Sequence, residues 1–149
     1  MPQTGLRRTE KETKTKILTT MDMKEKVLST LRDLGYKPEE DEDGDLGFRY
    51  QMKKFFVHVE EDRYVFLFYP GICSVDKEDV PKMLLVCNAM NRSYKLVRLA
   101  LDSSLQHVSA MQDFYFTDDE NLKSNLEKSI ESLGLLRTAL LRQMEELEE

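Results

Sequence analysis

The sequence lacks any long apolar run, and this absence limits what the chain can be. No stretch approaches the roughly 20 consecutive apolar residues that a membrane-spanning helix requires. The N-terminus also lacks the apolar segment of a secretory signal, so we expect a cytoplasmic protein with no membrane partner. Only two cysteines are present, Cys73 and Cys87, and without an export signal we expect them to be reduced thiols.

Motifs for common catalytic and cofactor sites are missing as well. The chain has no Gly-rich phosphate loop, no CxxC pair, no HExxH helix and no GxSxG nucleophile turn. The acidic segment that begins at Glu39 matches the first half of a calcium-binding loop, but its twelfth position is Tyr50 instead of the required glutamate. We therefore expect a protein that is not an enzyme and that binds no cofactor or metal.

Charge is distributed unevenly along the chain. The net charge is -6, but residues 1–20 contain five Lys and Arg against two Asp and Glu, a net of +3. The remaining residues contain 17 basic against 26 acidic side chains, a net of -9, which argues against nucleic acid as a partner. The first twenty residues also have few apolar side chains, which predicts a disordered basic tail at 1–20 and a single folded domain at 21–149.

Hydrophobic periodicity predicts helices at 22–34, at 77–91 and from 118 to the end, and strands at 46–52, 55–60, 63–69, 94–101 and 105–116. Asp22 is a favourable N-cap for the first helix, and Gly35 is expected to end it in the left-handed conformation. The third strand is apolar on both registers, so we expect it to be central and covered on both faces. Pro70 and Gly71 are expected to end this run of the sheet.

The second half of the domain carries further local signals. The second helix has an apolar stripe too wide for one buried face, so it is either sandwiched within the domain or in contact with a second chain. Asn88 and Asn91 near its end favour the left-handed conformation that terminates helices. Thr117 and Glu120 predict a capping box before the last helix, and Gly134 predicts a bend within that helix.

Residues 86–145 resemble the YbjN family of bacterial proteins, within the type III secretion chaperone-like superfamily. The resemblance depends on the spacing of Asn88 and Asn91 in VCNAMNRSYKLVRLAL, on the aromatic sequence DFYF at the end of the fifth strand, and on the long terminal helix. It implies an α+β fold in the order α-β-β-β-α-β-β-α, with a five-stranded antiparallel sheet packed against helices. It also implies frequent dimers and a non-catalytic role in protein binding.

These observations predict a protein-binding module, either chaperone-like or a regulatory adaptor, that forms a homodimer and contacts a client or regulatory partner. Exposed contiguous apolar area usually marks such a contact. The predicted interface combines the second helix with one face of the hairpin that follows it, and comprises Met83, Val86, Met90, Tyr94, Leu96, Met111 and Tyr115.

Two alternatives remain open from the sequence. The first is a sensor of a small anionic molecule, or an enzyme, with Arg49, His58 and Arg98 holding the anion on the open sheet face. The second is an interaction domain whose basic tail at 1–20 makes the contact.

Overall fold

The fold is α+β, as the sequence predicts. The computed structural model describes residues 22–60 and 63–148, and the predicted tail at 1–20 lies outside the described residues. The helices are α1 (Met23–Asp33), α2 (Val80–Ser93), α3 (Asp119–Gly134) and α4 (Leu136–Glu148), with a 3-10 turn at Lys77–Asp79. The strands are β1 (Glu39–Glu40), β2 (Leu46–Tyr50), β3 (Lys53–Glu60), β4 (Tyr64–Ser74), β5 (Arg98–Leu101) and β6 (His107–Tyr115). None of the described helices is long and apolar enough to cross a membrane.

The described strands form one antiparallel sheet in the order β1-β2-β3-β4-β6-β5. Five of them correspond to predicted strands. The sixth, β1, pairs Glu39 and Glu40 with β2, and a two-residue strand is too short to show an alternating pattern in the sequence. The acidic connection from β1 to β2 is tight, because the Asp41 amide donates to the Asp45 carbonyl at 2.8 Å.

The turn between β2 and β3 lies earlier than predicted. Tyr50 pairs with Lys53, which leaves Gln51 and Met52 as a two-residue hairpin turn. Their φ angles are 50° and 69°, as a type I′ turn requires. Neither residue is one of the Asn, Asp or Gly residues that usually signal this turn, so the sequence pattern extends the strand through it.

β4 continues through Pro70 and Gly71, which were predicted to end the sheet. The pairing of β4 with β6 shifts register between Tyr69 and Cys73. Proline has no amide to donate, and a bulge of this kind lets the strand pass it without losing the ladder on either side. Gly71 has a φ of 60°, and its amide donates to Ser109 Oγ at 3.2 Å.

The hairpin strands β5 and β6 both begin later than predicted, by four and two residues. Leu96 has a φ of 70° and Leu105 a φ of 61°. A left-handed residue interrupts extended backbone, and apolar alternation does not report φ. The loop between α2 and β5 is therefore longer than expected.

Three helix ends follow the predicted local signals. Asp22 caps α1, because its Oδ1 accepts from the Glu25 amide at 2.8 Å. Gly35 follows α1 with a φ of 97°, in the predicted left-handed conformation. At Gly134, where a bend is predicted, the helix is interrupted: α3 ends there and α4 begins two residues later.

The predicted capping box at the start of α3 is wrong. The N-cap is Asp118 and not Thr117: its Oδ1 accepts from the Asn121 amide at 2.8 Å. Both residue types can cap a helix, but a carboxylate also interacts favourably with the positive end of the helix dipole. The helix therefore begins one residue later than the pattern of Thr117 and Glu120 suggests.

The described helices lie on one face of the sheet. The core between them contains large buried side chains of the sheet and the helices, among them Phe48, Phe55, Val57, Leu67, Val108, Ala110, Val27, Leu31, Leu126, Ile130 and Leu140. The residues that alternate with the buried ones point to the other side, which we call the open face. Its members are Lys54, Phe56, His58 and Glu60 of β3, Tyr64, Phe66 and Phe68 of β4, Arg98 of β5, and Met111, Asp113 and Tyr115 of β6.

The position of β4 agrees with one prediction and corrects another. It lies between β3 and β6, so it is central. Val65 and Leu67 are fully buried beneath the helices, whereas Phe66 and Phe68 on the open face are only half-buried. The described residues therefore cover this strand on one face, and the second apolar register is left on the surface.

Candidate protein-binding surface

An apolar strip crosses the middle of the open face. Phe56 of β3, Phe68 of β4 and Met111 of β6 are register partners and lie in one row across three neighbouring strands. Phe66 lies in the next row, with its ring centroid 6.0 Å from that of Phe68. We call these four residues the aromatic strip. All four are half-buried, because they pack against one another and no described helix lies over them.

His58 borders the strip between two carboxylates. Its Nδ1 is 2.8 Å from Asp45 Oδ1, and its Nε2 is 3.1 Å from Glu60 Oε2. Ionised carboxylates only accept hydrogen bonds, so both contacts require a ring that donates from both nitrogens, which is the imidazolium. The hydrogen bonds to Asp45 and then to Glu60 accordingly raise the pKa of His58 above its usual value.

Two other cations lie at the ends of the strip. Arg98 Nη1 donates to Asp113 Oδ1 at 2.8 Å, and the Arg98 guanidinium carbon is 5.9 Å from the centroid of the Phe66 ring. Lys54 Nζ is 5.6 Å from the centroid of the Phe56 ring. Both distances fall within the range of cation–π interactions. The rings of the strip therefore attract positive charge from their own chain at both ends.

The three cations predicted to hold an anion are not brought together. Arg49 lies on β2, His58 on β3 and Arg98 on β5, and β4 and β6 separate the last two. At about 4.8 Å between neighbouring strands, His58 and Arg98 are roughly 14 Å apart across the sheet. Each also has a carboxylate partner, Asp45 and Glu60 for His58 and Asp113 for Arg98. The three cations therefore do not converge on one point of the open face.

The seven residues of the predicted protein interface lie in three different places. Met83, Val86 and Met90 are buried in the core on the inner side of α2, so they are not surface residues. Tyr94 and Leu96 are exposed in the loop from α2 to β5, whereas Met111 and Tyr115 lie on the open face. The correction for α2 has a simple reason: a wide apolar stripe does not reveal which part of it the sheet covers.

Other apolar residues on the surface were missed by the sequence reasoning. Leu84 and Leu85 of α2 are 52% and 64% exposed, on the outer side of the same apolar stripe. The sequence pattern places Phe56, Phe66 and Phe68 on strands but does not mark them as a site. The one signal for them is the second apolar register of β4, which by itself predicts a covered face.

Asn91 does not cap the end of α2, as predicted, but bonds to the backbone of β5. α2 continues past it to Ser93, and neither Asn88 nor Asn91 has a positive φ, so the predicted left-handed cap is wrong. Instead the Asn91 carboxamide bonds to the backbone of Leu99 in β5: Nδ2 donates to the carbonyl at 3.0 Å, and Oδ1 accepts from the amide at 2.8 Å. This side chain thereby replaces a neighbouring strand at the outer edge of the sheet.

The two thiols and His107 lie in surroundings that suggest structural roles and not reactive ones. Cys73 and Cys87 are free, and burial raises the pKa of the Cys87 thiol to about 11, which makes it a poor nucleophile. His107 Nδ1 is 2.8 Å from Asp102 Oδ2 in the turn between β5 and β6. Hydrogen bonds from Ser104 and then from His107 lower the pKa of Asp102. The same bonds hold together the turn between β5 and β6.

Comparisons with known proteins identify one matching family. The family model called YbjN, described as "Putative bacterial sensory transduction regulator", matches residues 24–142. A search of curated proteins finds no match.

Similar folds occur among solved structures. The crystal structure of YbjN, "a putative transcription regulator from E. coli", has a TM-score of 0.62 and 16% identity, covering 79% of this chain and 88% of that chain. An uncharacterized protein from Methanothermobacter thermautotrophicus has a TM-score of 0.54 and 12% identity, covering 83% and 96%. The Yersinia pestis type III secretion chaperone SycH, in complex with a fragment of YscM2, has a TM-score of 0.48 and 17% identity, covering 76% and 98%. At these identities the first two similarities show the fold.

Proposed function

The chain belongs to the YbjN family, and with this membership as the premise we propose that it is a non-catalytic, cytoplasmic protein-binding module, a regulatory or chaperone-like adaptor that acts as a homodimer. The family description, which names a sensory transduction regulator, supports a regulatory role. The observation that carries the proposal is the aromatic strip on the open face. Contiguous apolar area that the rest of the domain leaves uncovered usually marks a contact with another protein.

The chemistry around the strip favours binding over catalysis. His58 and Arg98 are held by carboxylates at hydrogen-bonding distance, and among the described residues neither forms a hydrogen bond with a serine or cysteine side chain. Cys87 lies in the core on the other side of the sheet. Catalysis requires convergent groups around a reacting atom, whereas the open face presents a broad row of rings.

Self-association is assigned to a second surface, on the side of the domain formed by α2 and the loop that leads to β5. Leu84, Leu85, Tyr94 and Leu96 are all more than 40% exposed there. Leu96 is the most informative of them. Its side chain is 81% exposed and its φ is 70°, an uncommon conformation for a residue with a side chain. If a second copy of the chain covers Leu96, the interface explains both its exposed side chain and its unfavourable backbone conformation.

Light scattering coupled to size exclusion tests this surface on the full chain over a range of concentrations. We expect twice the mass of one chain for the unchanged protein. Leu96→Glu should give the mass of one chain, because a carboxylate in an apolar interface must be desolvated without a partner. Circular dichroism should show unchanged helix content, since Leu96 lies outside the helices.

Met52→Glu is the matched control. Met52 is also exposed, at 91%, and also has a positive φ, 69°, but the hairpin turn between β2 and β3 explains its conformation. We expect this variant to remain a dimer. A Leu96→Glu protein that stays associated would reject the assigned dimer surface, and an unchanged protein that is a monomer at every concentration would reject the homodimer itself.

A further inference from the structure

A small cavity opens on the aromatic strip, next to the connection between β1 and β2. Its volume is about 300 Å³. The rings of Phe56, Phe66 and Phe68 form its floor, and Asp41, Asp45 and His58 lie at its rim. Pockets for drug-sized ligands begin at about this volume, so the cavity suits a single side chain better than a larger molecule.

The floor of the cavity favours a cation. The face of an aromatic ring carries partial negative charge, so ammonium and guanidinium groups are attracted to it. Lys54 and Arg98 of the same chain already lie within 6 Å of the Phe56 and Phe66 rings, at the two ends of the strip. No such contact involves Phe68 among the described residues. Its ring, in the floor of the cavity, is the one left for a cation from outside.

The rim carries the matching charge. Asp41 Oδ1 accepts from the amides of Asp43 and Asp45, both at 2.9 Å, which holds this carboxylate in a fixed position. Its second oxygen accepts no hydrogen bond from the described residues. Asp41 and Asp45 contribute two negative charges beside one histidine, so the rim is net negative whether His58 is protonated or neutral.

We propose that this cavity binds a lysine or arginine side chain presented by a segment of a partner protein. The assignment depends on the proposed function, because it names the chemistry of the partner at the open face. Charge complementarity supports it both at the rim of the cavity and over the whole of residues 21–149. The rim is negative, and residues 21–149 carry 17 basic against 26 acidic side chains, a net of -9. A partner segment with positive charge is therefore attracted to the domain before it reaches the cavity.

The test uses two short peptides that differ in one group. Each has two leucines on either side of a central residue, which is arginine in one peptide and its neutral isostere citrulline in the other. Amide shifts of the full-length protein are followed by NMR during titration with each peptide. We expect the arginine peptide to bind more tightly, with the largest shifts around Phe66, Phe68 and His58.

Variants assign the effect to the cavity. Phe68→Leu keeps an apolar side chain but removes the ring, and it should weaken binding of the arginine peptide about two- to fivefold. Asp41→Asn keeps the oxygen that accepts from Asp43 and Asp45 but removes the charge, and it should weaken binding by a similar factor. Asp43→Asn is the matched control, because Asp43 lies in the same connection but does not line the cavity. It should bind the arginine peptide as the unchanged protein does.

Three results would overturn the assignment. Equal affinity for the two peptides, with shifts on the open face, would reject the cation preference while leaving protein binding at this face intact. Binding of neither peptide would reject the cavity as a site, and the light-scattering result on self-association would stand independently. Tighter peptide binding in Arg7→Ser/Arg8→Ser, in the full chain, would show that the chain's own basic segment occupies the cavity instead of a partner.

Discussion

Asn91 protects the outer edge of the sheet, and removing its carboxamide should have a measurable effect on stability. Among the described strands β5 pairs with β6 alone, so backbone groups on its other side have no strand partner in this part of the chain. Asn91 satisfies two of them, the amide and the carbonyl of Leu99. Unpaired groups on an edge strand invite pairing with another chain. Asn91→Ala therefore removes two hydrogen bonds and exposes a template for association.

The magnitude follows from the bonds and from the helix. Two hydrogen bonds contribute about 1–3 kcal/mol to the free energy of unfolding. Alanine offsets part of this loss, because it is a better helix former than asparagine by roughly 0.6 kcal/mol. The freed groups belong to Leu99, which is only 2% exposed, so water does not readily replace the two lost bonds. We expect about 1–2 kcal/mol, which lowers Tm by roughly 2–8 °C in a chain of this size.

The assay is urea unfolding followed by circular dichroism, with Asn88→Ala as the control. Asn88 is also exposed on α2, and it makes no hydrogen bond among those between described residues, so its replacement should be neutral or slightly stabilising. Light scattering should also show more association for Asn91→Ala than for Asn88→Ala. If Asn91→Ala unfolds at the same urea concentration as Asn88→Ala, the carboxamide contributes nothing to the edge and the reasoning is refuted.

Two further predictions concern close packing and pH. A Cβ added at Gly134 would lie 2.7 Å from Tyr50 Cε2, so Gly134→Ala should lose about 1–2 kcal/mol of unfolding free energy despite its better helix propensity. Pairing it with Tyr50→Ala should abolish that loss, and an equal loss in both backgrounds would contradict the contact. The raised pKa of His58 means that its bonds to Asp45 and Glu60 stabilise the protein fully below about pH 6.5 and less as pH rises through the folded-state pKa. An NMR titration midpoint for His58 at or below 6.5, or the same pH dependence of Tm in His58→Gln, would contradict this.

The candidate site was only partly predictable, because exposure depends on neighbours that are distant in the sequence. Periodicity assigned the strands of the strip correctly and placed β4 in the centre of the sheet. The same pattern gave the wrong result for Met83, Val86 and Met90, which the sheet and helices bury. It also predicted that Phe66 would be covered, because an apolar residue on a second register reads the same in the sequence whether or not another layer lies over it.

The sequence alone determines those features that depend on neighbouring residues, such as helix ends and the positions of individual strands. A carboxylate at Asp22 and a glycine at position 35 act on the residues next to them, so their effects can be predicted without a fold. Gly134, by contrast, lies against Tyr50, a contact that only the fold creates. Alternation of apolar residues likewise determines strands one by one, and the family pattern around Asn91 indicates the fold that joins them.

Only the tertiary structure decided which surfaces are available. The order of the strands places β4 and β6 between His58 and Arg98, which separates two cations that sequence reasoning had combined into one site. It also brings Asn91 beside Leu99, so that a residue predicted to end a helix protects the edge of a sheet. The described helices gather on one face of the sheet, and the apolar register on the other face becomes the surface that we assign to a partner.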